Sequence, residues 1–290
     1  MKLDDPQWLE EQYDNRARVP DHGDYFARWA SESDAVRASL PCTLDIPYGK
    51  APRERLDVFP AAQVPGRAAK AGAPVMVFIH GGYWRSLDKE MHAFVARPFV
   101  EAGACVVLPE YTLCPEVTVP QIVLQQVQAL AWCARNIADH GGDPARITVV
   151  GHSAGAHLAA MLLACRWDAV DARLPPGLLT QALAISGLYE LEPLRHTPSI
   201  QASLHLTPSD VDKASPARLP PPAEGSLSTV VGGRESMEFL RHNELIRQAW
   251  GSAHVPVCEA LPGLNHFSVL DALVAPGHEL HRLARQLLAP

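Results

Sequence analysis

The sequence predicts an α/β fold, a mostly parallel eight-stranded sheet with helices on both faces. Three observations carry that expectation. Short, nearly continuous apolar runs bounded by Gly or Pro read as strands buried on both sides. Between them lie stretches whose apolar residues recur at helical spacing, and strand–helix alternation implies crossovers and a parallel sheet. The composition is 47% apolar and 20% charged over 290 residues, which suits one domain spanning 1–290 with a full core.

Residues 1–40 are polar and helix-like, with Trp8, Leu9, Tyr13, Tyr25, Phe26 and Trp29 spaced along them, and are expected to form an N-terminal helical arm. Strands are expected at Thr43–Tyr48 and Glu54–Phe59, joined by a tight turn into an antiparallel edge hairpin. Val75–His80 follows as a strand, Lys89–Ala102 as a helix and Cys105–Pro109 as a strand. Val119–His140 reads as a helix because Val123, Val127, Leu130, Ala134 and Ile137 share one face. Pro120 suits its first turn, and Gly141-Gly142 would stop it. Ile147–Val150 is the next strand, Ala154–Arg166 a helix and Ala182–Ser186 a strand. Residues 188–224 are Pro-rich, ending in Leu219-Pro-Pro-Pro-Ala223, and predict a cap-like insertion of short helices and loops. The pattern then resumes with strand Ser228–Val231, helix Glu235–Trp250, strand Val255–Ala260 and helix His266–Leu288.

Charge and cysteine content narrow the function. A net charge of −7 leaves no basic footprint for nucleic acid or anionic membrane. Apolar runs such as Val75–Ile79 fall far short of a membrane span, and the opening Met-Lys-Leu-Asp-Asp-Pro has no secretory h-region, so a cytoplasmic protein is expected. The six cysteines, Cys42, Cys105, Cys114, Cys133, Cys165 and Cys258, form no CxxC pair and read as small reduced hydrophobes. No phosphate-loop motif and no metal-ligand spacing is present, so neither metal nor cofactor is expected.

The sharpest chemical signal is Gly151-His152-Ser153-Ala154-Gly155, lying between a strand and a helix-forming run. A GxSxG in that context places its serine on a sharp turn above the sheet, at a helix N-terminus that favours a developing anion. Ser153 is therefore the candidate nucleophile. His80-Gly81-Gly82-Tyr83-Trp84 follows an earlier strand, and such a loop can aim backbone N–H groups at an oxyanion, with the N–H of Ala154 as partner donor. His80 itself reads as a structural residue of this loop. A serine needs a base and the base an acid, in the chain order Ser, acid, His. Among the late histidines His205, His242, His254, His266 and His278, His266 fits best, in a loop after the last strand. Glu235 follows the penultimate strand and is the candidate acid, with Glu238 one helical turn later as its rival. Tyr83, Trp84, Tyr189 and Phe267 are candidate aromatic walls of a substrate pocket.

Through these residues the chain resembles the α/β-hydrolase fold and, within it, the kynurenine formamidase (arylformamidase) family and related HGGxW esterases. The likeness rests on His80-Gly-Gly-Tyr-Trp84, Gly142-Asp-Pro144, Gly151-His-Ser-Ala-Gly-Ala-His-Leu158, Ser186-Gly-Leu-Tyr189, Glu235-Ser-Met-Glu-Phe239, Asn265-His-Phe267 and the early Tyr13-Asp-Asn-Arg16. It implies hydrolysis of N-formylkynurenine to kynurenine and formate, without metal or cofactor. It carries Ser153 over as nucleophile, His266 as base and the backbone of Gly81, Gly82 and Ala154 as oxyanion donors. The family usually has Asp where this chain has Glu235, which leaves the acid the most open position of the three. A carboxylesterase of broad short-acyl or aryl range, with the same triad, is the alternative. A binding protein without turnover is disfavoured by the intact Ser153, Glu235 and His266. The expected partner is a small ester or amide, with no nucleic acid or membrane. The oligomeric state stays open, a homodimer included.

Overall fold

The central strands are built from small and branched apolar residues because helices cover both of their faces. In the computed structural model, which describes residues 5–62 and 72–289, eight strands form one sheet. They are β1 (Thr43–Pro47), β2 (Arg55–Phe59), β3 (Ala73–Ile79), β4 (Cys105–Pro109), β5 (Gly142–His152), β6 (Gln181–Ile185), β7 (Ser226–Gly232) and β8 (Cys258–Leu261). Their spatial order is β1-β2-β4-β3-β5-β6-β7-β8. β1 pairs antiparallel with β2, and β2 antiparallel with β4. Every later pairing is parallel, from β3–β4 through β7–β8. The expected edge hairpin and parallel body are both present.

The two sheet faces carry separate apolar layers. On one, helices Val119–Asn136 and Ala154–Leu163 pack Val123, Val127, Leu130 and Leu158 against Val75, Val77 and Val149. On the other, helices His22–Ser39, Ser268–Val274 and Glu279–Leu287 pack Trp29, Val269, Leu273 and Leu280 against Met76, Phe78 and Val106. The last helix of the N-terminal arm is thus part of the sheet's cover. Trp29 anchors it, stacked on Phe94 at 5.6 Å with an interplanar angle of 14°. Full burial of such a side chain contributes about 1.5–3 kcal/mol.

Several expected elements differ in detail. The helix expected over His266–Leu288 is two helices, Ser268–Val274 and Glu279–Leu287, because Pro276 has no N–H to continue the ladder. Lys89–Ala102 is a 3₁₀ turn, Glu90–Val95, leading into an α-helix, Ala96–Glu101. Ala154–Arg166 stops at Leu163, and a separate turn of helix follows at Trp167–Val170. The last strand begins at Cys258 rather than Val255, because Pro256 cannot donate to the ladder. β5 is longer than Ile147–Val150, since it pairs with β3 from Gly142 onward. Residues 188–224 form short helices and loops: Glu192–Arg195, Pro198–Leu204, Pro208–Ala214 and a 3₁₀ turn at Pro216–Arg218. Among the described residues no helix is long and apolar enough to cross a membrane.

Candidate active site

At the carboxyl end of β5 the chain reverses into helix Ala154–Leu163 within one residue. That residue, Ser153, has φ 57° and ψ −118°, a conformation costly for a side-chain-bearing residue and held only where its surroundings demand it. The demand is close packing. A Cβ at Gly151 would strike the carbonyl of Gly155, and one at Gly155 the carbonyl of Ile79. A Cβ at Gly81 would lie 2.9 Å from that of Ser153. Glycine at these three positions lets strand, helix and the neighbouring loop meet at the serine.

The other two candidates arrive from the next loops along the sheet. His266 Nε2 lies 3.1 Å from Ser153 Oγ, and His266 Nδ1 lies 2.6 Å from Glu235 Oε2. An ionised carboxylate only accepts, so Nδ1–H donates to Glu235 and Nε2 is left to accept from the serine. Glu235 is fixed by two further donors on its other oxygen, Ser186 Oγ at 2.5 Å and the Gly232 N–H at 2.7 Å. His152 donates from Nε2 to the carbonyl of His266 at 2.8 Å and so holds that residue's own backbone. Burial, then the nearby His266 ring, pushes the His152 ring well below its ordinary pKa, so it stays neutral. Phe239 packs its ring 4.6 Å from that of His266. Glu238, the rival acid, points away: it accepts from Tyr13 Oη at 2.7 Å and from Arg241 at 2.8 and 2.9 Å.

The loop after β3 runs beside Ser153. Gly82, Tyr83 and Trp84 take φ of 106°, 50° and 55°, a left-handed turn that ends with the Trp84 carbonyl accepting from Cys114 N–H. Among the described residues the N–H groups of Gly81, Gly82 and Ala154 donate to no protein acceptor. A cavity of about 410 Å³ opens over Ser153 and His266. Its walls include Tyr83 and Phe267, Tyr13 through Arg16 from the arm, and Ser199 and Ile200 from the insertion. Among the described residues no cluster of three or more His, Cys, Asp or Glu side chains is arranged to ligate a metal.

The sequence profile of the alpha/beta hydrolase fold matches residues 76–231. A kynurenine formamidase of Danio rerio is 30% identical over 265 residues, 89% of this chain and 86% of that one. The chain belongs to the α/β-hydrolase family. A solved structure from Silicibacter sp. TM1040, described only provisionally as a thioesterase, superposes with a TM-score of 0.80 at 28% identity, covering 94% of this chain and 97% of its own. Esterase LipQ of Mycobacterium tuberculosis is 38% identical over 158 residues, 51% of this chain and 36% of that protein.

Two aromatic assignments need correction against this α/β-hydrolase site. Trp84 does not line the cavity; it is wholly buried, edge-on to His157 at 4.9 Å. Tyr189 is also core, its hydroxyl 2.8 Å from Thr229 Oγ1. Both sit beside motifs, but their side chains turn into the apolar layer under the sheet end. Tyr83 and Phe267 do face the cavity. The contributions of Ser186, His152 and Gly232 were not singled out from sequence. Ser186 and His152 stand in the motifs Ser186-Gly-Leu-Tyr189 and Gly151-His-Ser-Ala-Gly-Ala-His-Leu158, but neither motif announces the bond its side chain makes.

Proposed function

We propose that this α/β-hydrolase is a serine hydrolase that cleaves an aryl formamide, N-formylkynurenine, to kynurenine and formate. The observation that carries the reading is the hydrogen-bonded line from Glu235 through His266 to Ser153 at the floor of the cavity. His266 takes the Ser153 proton as Oγ adds to the formyl carbon. The N–H groups of Gly81, Gly82 and Ala154 hold the resulting oxyanion. Collapse breaks the C–N bond, the His266 proton goes to the leaving arylamine, and Ser153 is left as its formate ester. Water, deprotonated by His266, attacks that ester; formate leaves and the proton returns to Ser153 Oγ. Glu235 stabilises the imidazolium formed in both halves and keeps its tautomer fixed.

The substrate assignment is supported by the formamidase relatives, which match over most of the chain, and by the cavity walls. Tyr83 and Phe267 offer aromatic faces to an aryl ring. Arg16 lines the mouth with no carboxylate or hydrogen-bond partner among the described residues, only the Phe26 ring 5.5 Å away. Its guanidinium suits the substrate's carboxylate, and Glu10 and Asp14 beside it suit an ammonium group. A broad carboxylesterase is the second reading, favoured by the likeness to the mycobacterial esterase over about half of this chain. Steady-state hydrolysis of N-formylkynurenine beside p-nitrophenyl acetate separates the two. A formamide kcat/KM of about 10⁴ M⁻¹s⁻¹ or more supports the formamidase, and turnover of the ester alone rejects it. Ser153→Ala should abolish either activity, and retained turnover would reject the acyl-enzyme mechanism itself.

A further inference from the structure

Behind the Gly81–Gly82 loop lies a buried polar cluster to which acyl transfer assigns no part. At its centre is His80, 1% exposed. Its Nδ1 lies 2.8 Å from the Gly81 carbonyl oxygen, and its Nε2 lies 3.0 Å from Glu110 Oε1. A carbonyl oxygen can only accept, so a nitrogen this close to it must carry a proton. Glu110 is itself ringed by donors. Its Oε1 accepts from the Tyr111 N–H at 2.9 Å and from Arg53 Nη2 at 3.0 Å, and its Oε2 accepts from the Lys89 N–H at 3.0 Å. Oε1, the oxygen that faces His80, already accepts from two other donors and so carries no proton of its own. Burial alone would push the Glu110 carboxyl up; the His80 ring, Arg53 and the Tyr111 N–H outweigh it and hold it down at about 2. Nε2 must therefore donate as well, and two ring protons make the imidazole a cation.

We propose that His80 is a doubly protonated imidazolium, held by Glu110, that orients and polarises the Gly81–Gly82 peptide for oxyanion binding. In a planar trans peptide the carbonyl of Gly81 and the N–H of Gly82 point in opposite directions. Pinning the carbonyl from behind fixes the N–H on the other side, where Gly81 packs against Ser153. A charge-assisted bond to that carbonyl also strengthens the same peptide's N–H as a donor. Other neighbours support the arrangement. Tyr111 stacks on His80 at 4.4 Å and 7°, and its hydroxyl donates to the carbonyls of His80 and Gly81 at 3.1 and 3.3 Å. His92 covers the other side at 5.5 Å. Burial, then repulsion from His80, pushes the His92 ring down to about 3, so it stays neutral and donates from Nδ1 to the Asp88 carbonyl at 2.7 Å. His80 is a positioning residue, since it acts through the peptide and touches no reacting atom.

The inference rests on the reading of Gly81 and Gly82 as oxyanion donors, so its test has two independent parts. The first counts ring protons on ¹⁵N-histidine-labelled wild type by NMR at about pH 8, where a free histidine is neutral. His80, identified by its loss in His80→Asn or its change in Glu110→Gln, is expected to show two ring N–H signals. One signal overturns the proposal without reference to catalysis. The second part is Glu110→Gln, assayed with p-nitrophenyl acetate. A kcat about tenfold lower with KM within about twofold is expected, as for a weakened oxyanion donor. A folded Glu110→Gln with unchanged kcat overturns the proposal; if that variant does not fold, the ring-proton count in the wild type decides. Turnover retained by Ser153→Ala would instead reject the acyl-transfer reading, so the two failures are distinguishable.

Discussion

Two buried glutamates three residues apart, Glu235 and Glu238, each belong to a network that contains a histidine, and the two networks are built to opposite ends. Glu235 receives Ser186 Oγ, the Gly232 N–H and His266 Nδ1. None of these is a fixed cation, so its charge remains available to an imidazolium that forms transiently. Glu238 is neutralised by the side-on guanidinium of Arg241, at 2.8 and 2.9 Å, and also accepts from Tyr13 Oη. Its histidine, His242, runs the other way: Nδ1 accepts from the Tyr189 N–H at 3.0 Å, and Nε2 faces Tyr13 Oη at 3.1 Å. Burial, then the Arg241 charge, pushes that ring well below its ordinary pKa. The first network leads to Ser153 and the cavity. The second ties the N-terminal arm to helix Met237–Trp250. A buried Glu near a His is therefore not by itself a catalytic pair; what decides is whether the carboxylate already has a permanent counter-ion.

Replacing each acid by its amide is the largest test of that contrast. Glu235→Gln should lower kcat by about 10²–10⁴ with a near-normal melting temperature, because the base loses its tautomer control and its counter-charge. Glu238→Gln should do the reverse. It should cost on the order of 3 kcal/mol in urea unfolding by leaving Arg241 short of its bidentate partner, with kcat within about threefold of wild type. If the two phenotypes were exchanged, Glu238 would be the acid.

A smaller effect is expected at the rim that the second network positions. Arg16→Ala should raise KM for N-formylkynurenine by about tenfold, the scale of one charge-assisted contact, while KM for p-nitrophenyl acetate stays put. Equal changes for both substrates would remove Arg16 from carboxylate recognition.

The smallest effect is in the pH dependence of stability. His242 is held well below 6.5, and His157 is held near 4 mainly by burial. Their folded pKa values are lower than the unfolded one, so the unfolded chain takes up protons first as pH falls. Stability from His157 is complete above pH 6.5 and is lost as pH falls from there to about 4, with a slope of up to about 1.4 kcal/mol per pH unit, and His242 adds a loss of the same sign on acidification. Urea midpoints measured across that window should fall, and His157→Asn should flatten the curve. A midpoint that stays level from pH 7 to 5 would show that neither ring is held neutral.

Legibility from the sequence followed the range of the interactions. Ser153 and His266 are legible because GxSxG between a strand and a helix, and a histidine in the loop after the last strand, are local patterns with local steric causes. The alternation of apolar runs and helical segments predicts all eight strands, although Pro276 and Pro256 shift the boundaries of the last elements. The aromatic residues beside the motifs were only half legible. Tyr83 and Phe267 reach the cavity, while Trp84 and Tyr189 turn into the core, and no neighbouring residue in the chain announces which way each turns.

Chain order and local chemistry thus determined the α/β architecture, the elbow serine, the candidate histidine and a short list of candidate acids. The tertiary structure alone sets Glu235 beside His266 and Glu238 away from it, because Arg241 neutralises Glu238 and Ser186, 49 residues away in the chain, braces Glu235. It alone brought Tyr13 through Arg16 to the cavity, and enclosed His80 between a carbonyl and a carboxylate. The physical reason is common to all three. The charge and direction of a buried polar side chain are set by whichever donors and acceptors surround it in space, and those come from distant parts of the chain.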